Sequence, residues 1–408
     1  MMASPLWQDN RITPLELAGI VISLIFATGA VTLPMFTGLV AQHDGWLAAP
    51  IGAIFGALIL AVVVYLDRRF PGQSLTEYCQ AVVGPWLARV VLLLYAIYFQ
   101  HTAALVVRES TDFLRAGFYP VASPLVLGTP LVLLTTYMSW QGIEIIGRTT
   151  IIVVPVQILF TLSVAAAAAA QIQPELILPL FERGVVPVLR ASLIPAAWFG
   201  EVIALLFFFS HVRGARERVA AAFAGTGIVL VLIVIGGLSA GMLFGDQVGR
   251  LAYPFSSVAR FVTIGGFLRI DPLAMAVWLF LTVIKVATLQ HVSVMALAHL
   301  LNLRDKRPLA LPLAGLVLLM SDGLFSNKQE VDAWLLTGWP VYSFCMQLLL
   351  PAGIALIAAV RSVKGKPRAG QAQGSDKRQG GDKVQGGGKM QGGDRLQRDG
   401  KMQGDDKP

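Results

Sequence analysis

Ten stretches between residues 14 and 360 are each apolar for about the length that a membrane crossing requires. Bilayer hydrocarbon is about 30 Å thick and an α-helix rises about 1.5 Å per residue, so roughly 20 apolar residues span it. The stretches are 14–41, 45–66, 86–114, 123–140, 146–170, 191–210, 217–244, 272–301, 309–326 and 334–360. The ninth is short, and the third and eighth are long enough to require tilt. Lipid satisfies no backbone N–H or C=O group, so segments of this kind persist there as helices. The expected class is an all-α integral membrane protein of about ten transmembrane helices. Only 14% of the 408 residues are charged and 55% are hydrophobic, whereas a soluble domain carries about a quarter charged residues. The opening MMASPLWQDNRITP lacks the basic start and short apolar run of a cleaved signal peptide, so the first span is expected to be retained. Cys79 and Cys345 are too few for a disulfide framework and are expected to be buried thiols.

The net charge of +8 is concentrated at one end. Residues 361–408 hold 12 Lys/Arg against 6 Asp, which leaves +2 for the rest of the chain. Nucleic acid is therefore not an expected partner. That tail repeats every six residues from Gln373: QGSDKR, QGGDKV, QGGGKM, QGGDRL, QRDGKM, QGDDKP. Nearly free of apolar side chains, it cannot offset the entropy of ordering and is expected to be disordered, with attraction to anionic lipid as the alternative reading. With the N-terminus inside, the inner connections carry 11 Lys/Arg before the tail and the outer ones 7. This bias places both termini in the cytoplasm. The expected organisation is a cytoplasmic N-terminus (1–13), a membrane domain (14–360) and a cytoplasmic tail (361–408).

Ten spans divide into five plus five. Span two carries Gly52-x-x-x-Gly56 and span seven Gly237-x-x-x-Gly241, faces suited to close helix packing. Span one is interrupted by ATGAVTLP, Ala27 to Pro34, and span six by PAAWFG, Pro195 to Gly200. Interruptions at corresponding positions of two halves mark the binding site of an inverted-repeat transporter, because a broken helix survives in lipid only where it lines a polar cavity. Ordinary Pro/Gly kinks are the plainer alternative.

Charges within the spans are the second signal. Lys285 lies near the centre of span eight and Glu201 directly after the span-six interruption, each costing about 2.5–3.5 kcal/mol at a helix centre unless partnered. A direct or water-bridged pair is expected. In one reading Lys285 supplies a fixed positive charge to a ligand site and Glu201 anchors the unwound turn; in the other the two form a structural ion pair with no ligand role. Arg108 and Glu109 are read as interfacial, Asp322 as a cap or interfacial residue, and His101 as an interior histidine. His291 and His299 have no accompanying metal-ligand spacing. Nucleotide-binding, metalloprotease and serine-hydrolase motifs are absent, so no catalytic residue, metal or cofactor is expected and the chain is read as a non-enzyme.

Four passages together resemble one family. They are ITPLELAGIVISLIFATGAVTLP, PGQSLTEYCQAVVGPWLARVVLLLYAIYF, PAAWFGEV and WLFLTVIKVA followed by HLLNLRDKRPLALPLAGLVLLMS. Their order and spacing over residues 10–360 resemble the B subunits of spore germinant receptors, the endospore germination permeases of the amino acid–polyamine–organocation superfamily. The hexapeptide tail is not part of that pattern. The resemblance implies an amino-acid-transporter-like fold with broken helices 1 and 6. It also implies a germinant such as an amino acid, and partnership with a larger A subunit and a lipoprotein C subunit in the inner membrane of the spore. By position it implies a pocket lined by Thr28, Gly29, Ala30 and Val31, by Trp198, Phe199 and Gly200, by His101 and Leu105, and by Thr282 and Lys285. Two functions then stand: a permease-like subunit that senses a germinant, or an amino acid/proton secondary transporter.

Overall fold

The structure, a computed structural model, describes residues 11–261, 263–264, 268–269 and 271–365. The residues before Arg11 and the repeat tail from Gln373 lie outside the described residues.

Each expected apolar stretch holds a helix. In chain order these are α1 (Pro14–Ala41), α2 (Ala48–Arg69), α3 (Leu75–Val83), α4 (Pro85–Gly117), α5 (Pro124–Gln141), α6 (Ile143–Ala168) and α7 (Val185–Phe199). There follow the single turn α8 (Leu205–Phe208), α9 (Ala215–Phe244), α10 (Pro254–Phe261), α11 (Asp271–Leu300), α12 (Ala310–Gly323), α13 (Lys328–Phe344) and α14 (Leu350–Val360). The short α3 and α10 lie outside the ten stretches, and a two-residue pairing, Thr263–Ile264 with Leu268–Arg269, is the strand content among the described residues.

Local sequence sets several helix starts. Thr13 and Glu16 form a capping box at α1, with the Glu16 carboxylate 2.6 Å from the Thr13 N–H. Ser74 and Glu77 do the same at α3, and the Asn327 side chain caps α13 by accepting from the Glu330 N–H at 3.0 Å. Each box satisfies N–H groups that a helix start leaves without partners.

α1 is buried along most of its length and packs against α6, α7, α9 and α11. α2 lies flat on α7 because Gly52 and Gly56 carry no side chain. A Cβ on Gly52 would come within 2.8 Å of the Ala196 nitrogen, and one on Gly56 within 2.6 Å of Phe199 Cβ. The matching pair in α9 faces connections instead: Gly237 meets Trp46 and Gly241 meets Ile177.

Polar contacts tie both ends of the α1–α9 pair. Where α1 begins, Arg218 of α9 grips the Asp67 carboxylate of α2 with bonds of 2.7 and 2.6 Å, and the backbone of Ile12 bonds to His211 and Arg213. Where α1 ends, His43 Nδ1 meets Asp246 at 2.8 Å and its Nε2 meets the Pro179 carbonyl at 3.2 Å. Asp44 accepts there from the Phe181 N–H at 3.0 Å.

Two expectations need correction. Helix α1 is continuous from Pro14 to Ala41, so its interruption at Thr28–Pro34 does not break it. The polar groups there find partners without unwinding: the Thr32 hydroxyl donates to the Thr28 carbonyl at 2.9 Å and the Trp278 indole N–H donates to the Ala27 carbonyl. Cys79 is buried, but Cys345 faces outward.

Candidate functional site

The α7 region does change form, a few residues later than PAAWFG. Pro195 sits inside regular helix, and the tightening to 3₁₀ geometry begins at Gly200 and runs to Ala204. A second 3₁₀ turn, Phe209–His211, follows α8. The change of ladder displaces backbone groups from regular helical partners. The Ala197 carbonyl, three residues before the tightening begins, takes a bond of 2.8 Å from the Gln347 side chain.

Lys285 of α11 is wholly buried and Glu201 is 3% exposed. The Lys285 ammonium lies 2.9 Å from Glu201 Oε1 and 2.7 Å from Oε2, and it donates to the Thr28 hydroxyl at 2.7 Å. The same hydroxyl oxygen accepts from the Trp198 indole N–H at 2.9 Å. One threonine of α1 thus holds together a lysine from α11, a tryptophan from α7 and, through the lysine, a glutamate from the 3₁₀ turn. Around this cluster the other hydroxyls turn back on their own helix: Thr282 donates to the Trp278 carbonyl at 3.1 Å and Thr288 to that of Ile284 at 2.8 Å. Lys285 and, two turns earlier, Trp278 are therefore the groups on this part of α11 that reach across to α1.

A buried charge pair is costly to form and more costly to break. The two charges are matched here, and the ammonium bonds both to Glu201 and to Thr28. The arrangement gathers a cation, a carboxylate, a hydroxyl and an indole N–H in one buried contact network.

The remaining expected residues distribute unevenly. Gly29 lies in the cluster: a Cβ there would sit 3.6 Å from Trp198 and 3.2 Å from Leu33, so it faces the indole at ordinary contact distance. Ala30 and Leu105 belong to the main buried core. Val31 packs with Phe113 and Trp278. Phe199 is fully buried against α2. Gly200 faces Gln347, whose amide a Cβ would strike. His101 goes elsewhere: its ring lies 5.6–6.3 Å from those of Trp334, Trp339 and Tyr342 on α13.

Four residues were not legible in the roles they take. Gln347 sits in a π-helical turn, Cys345–Leu349, and donates to Ala197 and, at 2.7 Å, to the Tyr98 hydroxyl. Its signal was a lone amide in a long apolar run; Tyr98 gave none. Trp278 holds the Ala27 carbonyl from α11. Arg108, read as interfacial, is buried, paired with Asp112 at 3.0 Å, and donates to the carbonyls of Ser321, Asp322 and Phe325 at the end of α12. Arg108 therefore serves as a cation at a helix C-terminus. Glu109 beside it has one carboxylate oxygen buried with no hydrogen-bond partner among the described residues.

The sequence profile of the family described as "Spore germination protein" matches residues 11–330. Spore germination protein KB of Bacillus subtilis (strain 168) is 23% identical over 360 residues, covering 86% of this chain and 96% of its own length. Spore germination protein XB of Bacillus anthracis is 25% identical over 275 residues, 66% of this chain and 76% of its own. Among solved structures, MhsT in complex with L-phenylalanine superposes with a TM-score of 0.62 at 12% identity, over 84% of this chain and 97% of that one. Mhp1, a nucleobase-cation-symport-1 family transporter, gives 0.60 at 14% identity over 86% and 79%. At such identities these structures establish a shared transporter fold.

Proposed function

The chain belongs to the spore germination protein family, a multi-pass membrane family of transporter-like fold, and from that premise we propose that it is the permease-like subunit of a spore germinant receptor. The germinant is a small zwitterion, an amino acid being the best match, held where Thr28, Trp198, Glu201 and Lys285 meet. The observation that carries this reading is the wholly buried Lys285 ammonium bonded at once to α1 and to the 3₁₀ turn after α7. A ligand carboxylate competes for that ammonium and a ligand amine for Glu201, so binding separates groups that now hold three helices together. A ligand shifts a conformational equilibrium only through unequal affinity for its two states, and this cluster is a place where the inequality arises. Receptor A and lipoprotein C subunits are the partners that would read the shift. The five-plus-five repeat and both termini on the cytoplasmic side of the spore inner membrane complete the proposal.

Spores whose native gene is replaced by the Lys285→Met form, with protein level in the membrane matched to wild type, test this reading. Loss of germination to amino acids is expected; an unimpaired response overturns it. The second reading, an amino acid/proton transporter, is favoured by the unpartnered Glu109 oxygen, a place for a moving proton. Concentrative uptake of labelled amino acids by vesicles holding this chain alone would select it.

A further inference from the structure

Helices α2, α7 and α13 leave a cavity of about 300 Å³ between them. Phe55 and Ile59 form one wall, Pro340 and Leu348 another, and Ala196 and Ala197 the floor. Its rim residues Leu193, Val341 and Phe344 are 53%, 67% and 44% exposed, so it opens sideways, away from the bundle. The mouth lies at mid-depth. Leu193 is eight residues into α7, about 12 Å along its axis, and Val341 and Phe344 stand near the middle of the helical stretch 328–360. Hydrocarbon surrounds a membrane protein at that depth.

The chemistry of the walls narrows the occupant. None of the lining residues is charged, and the polar one, Gln347, is 1% exposed with its amide N–H groups committed to the Tyr98 hydroxyl and the Ala197 carbonyl. A polar or ionic solute would lose its hydration there and find no new partner. A helix is about 10–12 Å across, so a partner helix lies over the mouth and enters with single side chains at most. An unbranched chain of methylenes has no polar group to desolvate and matches the apolar lining. The volume sits at the small end of ligand cavities, about 300–1,000 Å³.

We propose that the cavity between α2, α7 and α13 is a lateral binding site for a hydrocarbon chain drawn from the bilayer, the acyl tail of a lipid. The floor gives the occupant leverage. Ala197 immediately precedes Trp198, which bonds Thr28, and Gln347 clasps Ala197 from the π-helical turn of the opposite wall. A chain in the cavity braces that turn against α7 at the point where α7 tightens. The site is independent of the germinant reading, since its evidence is the cavity alone.

The test uses the full chain in phosphatidylcholine vesicles containing a fatty acid with a photoreactive diazirine near its methyl end. Labelling of Phe55, Leu193, Val341 and Phe344, mapped by mass spectrometry, is expected to exceed several-fold that of Ile152 and Leu159, lipid-facing residues of α6 that are 73% and 69% exposed. Leu193→Trp fills the mouth and should remove the excess, and Val341→Trp repeats the experiment should the first variant fail to fold. Even labelling across both surfaces overturns the proposal, as does excess labelling that persists in a folded, filled variant. Labelling that falls as the protein-to-lipid ratio rises assigns the mouth to a second copy and overturns it equally.

Discussion

Lys285 is a side chain whose structural role and proposed ligand role can be separated by experiment. Removing it leaves the Glu201 carboxylate buried without its cation, a change that costs about 3–5 kcal/mol in buried pairs. Lys285→Met should therefore lower thermal stability in detergent by that order, and Lys285→Met combined with Glu201→Gln should recover most of the loss. If the double variant recovers stability yet does not restore ligand response, the pair serves the ligand as well as the fold; recovery of both leaves it a structural pair. Lys306, in the 301–309 connection, makes a separate prediction. Its ammonium meets His291 Nε2 at 3.3 Å, while His291 Nδ1 donates to the Ser139 carbonyl at 3.1 Å. Burial, with Arg307 alongside, pushes Lys306 from 10.5 down to about 8. Between those values the unfolded chain still holds a proton that the folded chain has released, so stability rises with pH from about 8 toward 10.5 and gains nothing below 8. Thermal unfolding of Lys306→Met should lack that rise; an unaltered slope would refute the assignment.

At the scale of elements, the paired interruptions behave differently although both were read from Gly and Pro. In α1 the Thr28 hydroxyl and the Ala27 carbonyl are met by side chains of other helices, the Thr32 hydroxyl bonds within α1, and the helix runs through. In α7 the tightening begins at Gly200, where a Cβ would strike the Gln347 amide. Gly200→Ala should therefore disturb the joint more than Gly29→Ala, whose added methyl sits at 3.2 Å or more from its neighbours. Gly29→Leu would press on Trp198 and is expected to abolish response while membrane insertion persists. Gln347→Leu, which removes the donor to Ala197, should weaken ligand response with the fold intact; a normal response would exclude the π-helical turn from the coupling. Close packing was legible in Gly52 and Gly56, since two glycines four apart make a groove. The mismatch in α9 was not legible, because what faces a small-residue stripe is decided by distant chain.

For the whole molecule, the last contacts before the repeat tail set where truncation becomes harmful. Arg69 donates to the Val363 and Ala358 carbonyls at 2.8 Å each, the Gly365 N–H returns to Arg69 at 3.1 Å, and Arg361 donates to Val82 at 2.7 Å. A chain ending after residue 366 should insert and unfold like the full chain, whereas one ending after residue 357 strips Arg69 of both acceptors and should lose stability measurably in detergent. Helix positions, membrane class, family and the opposed charges Lys285 and Glu201 were all determined by the sequence itself. They depend on apolar runs long enough to span lipid, on the expense of charge within them, and on residue patterns local in the chain. Tertiary structure alone decided the rest: that Thr28 joins Lys285 to Trp198, that α1 stays whole, that Arg108 caps α12, that His101 packs on α13, and that Gln347 clasps Ala197. Each depends on which buried group meets which across helices tens to hundreds of residues apart. Hydrophobicity places helices in a membrane, but their mutual rotation and depth are set by packing and hydrogen bonding between them.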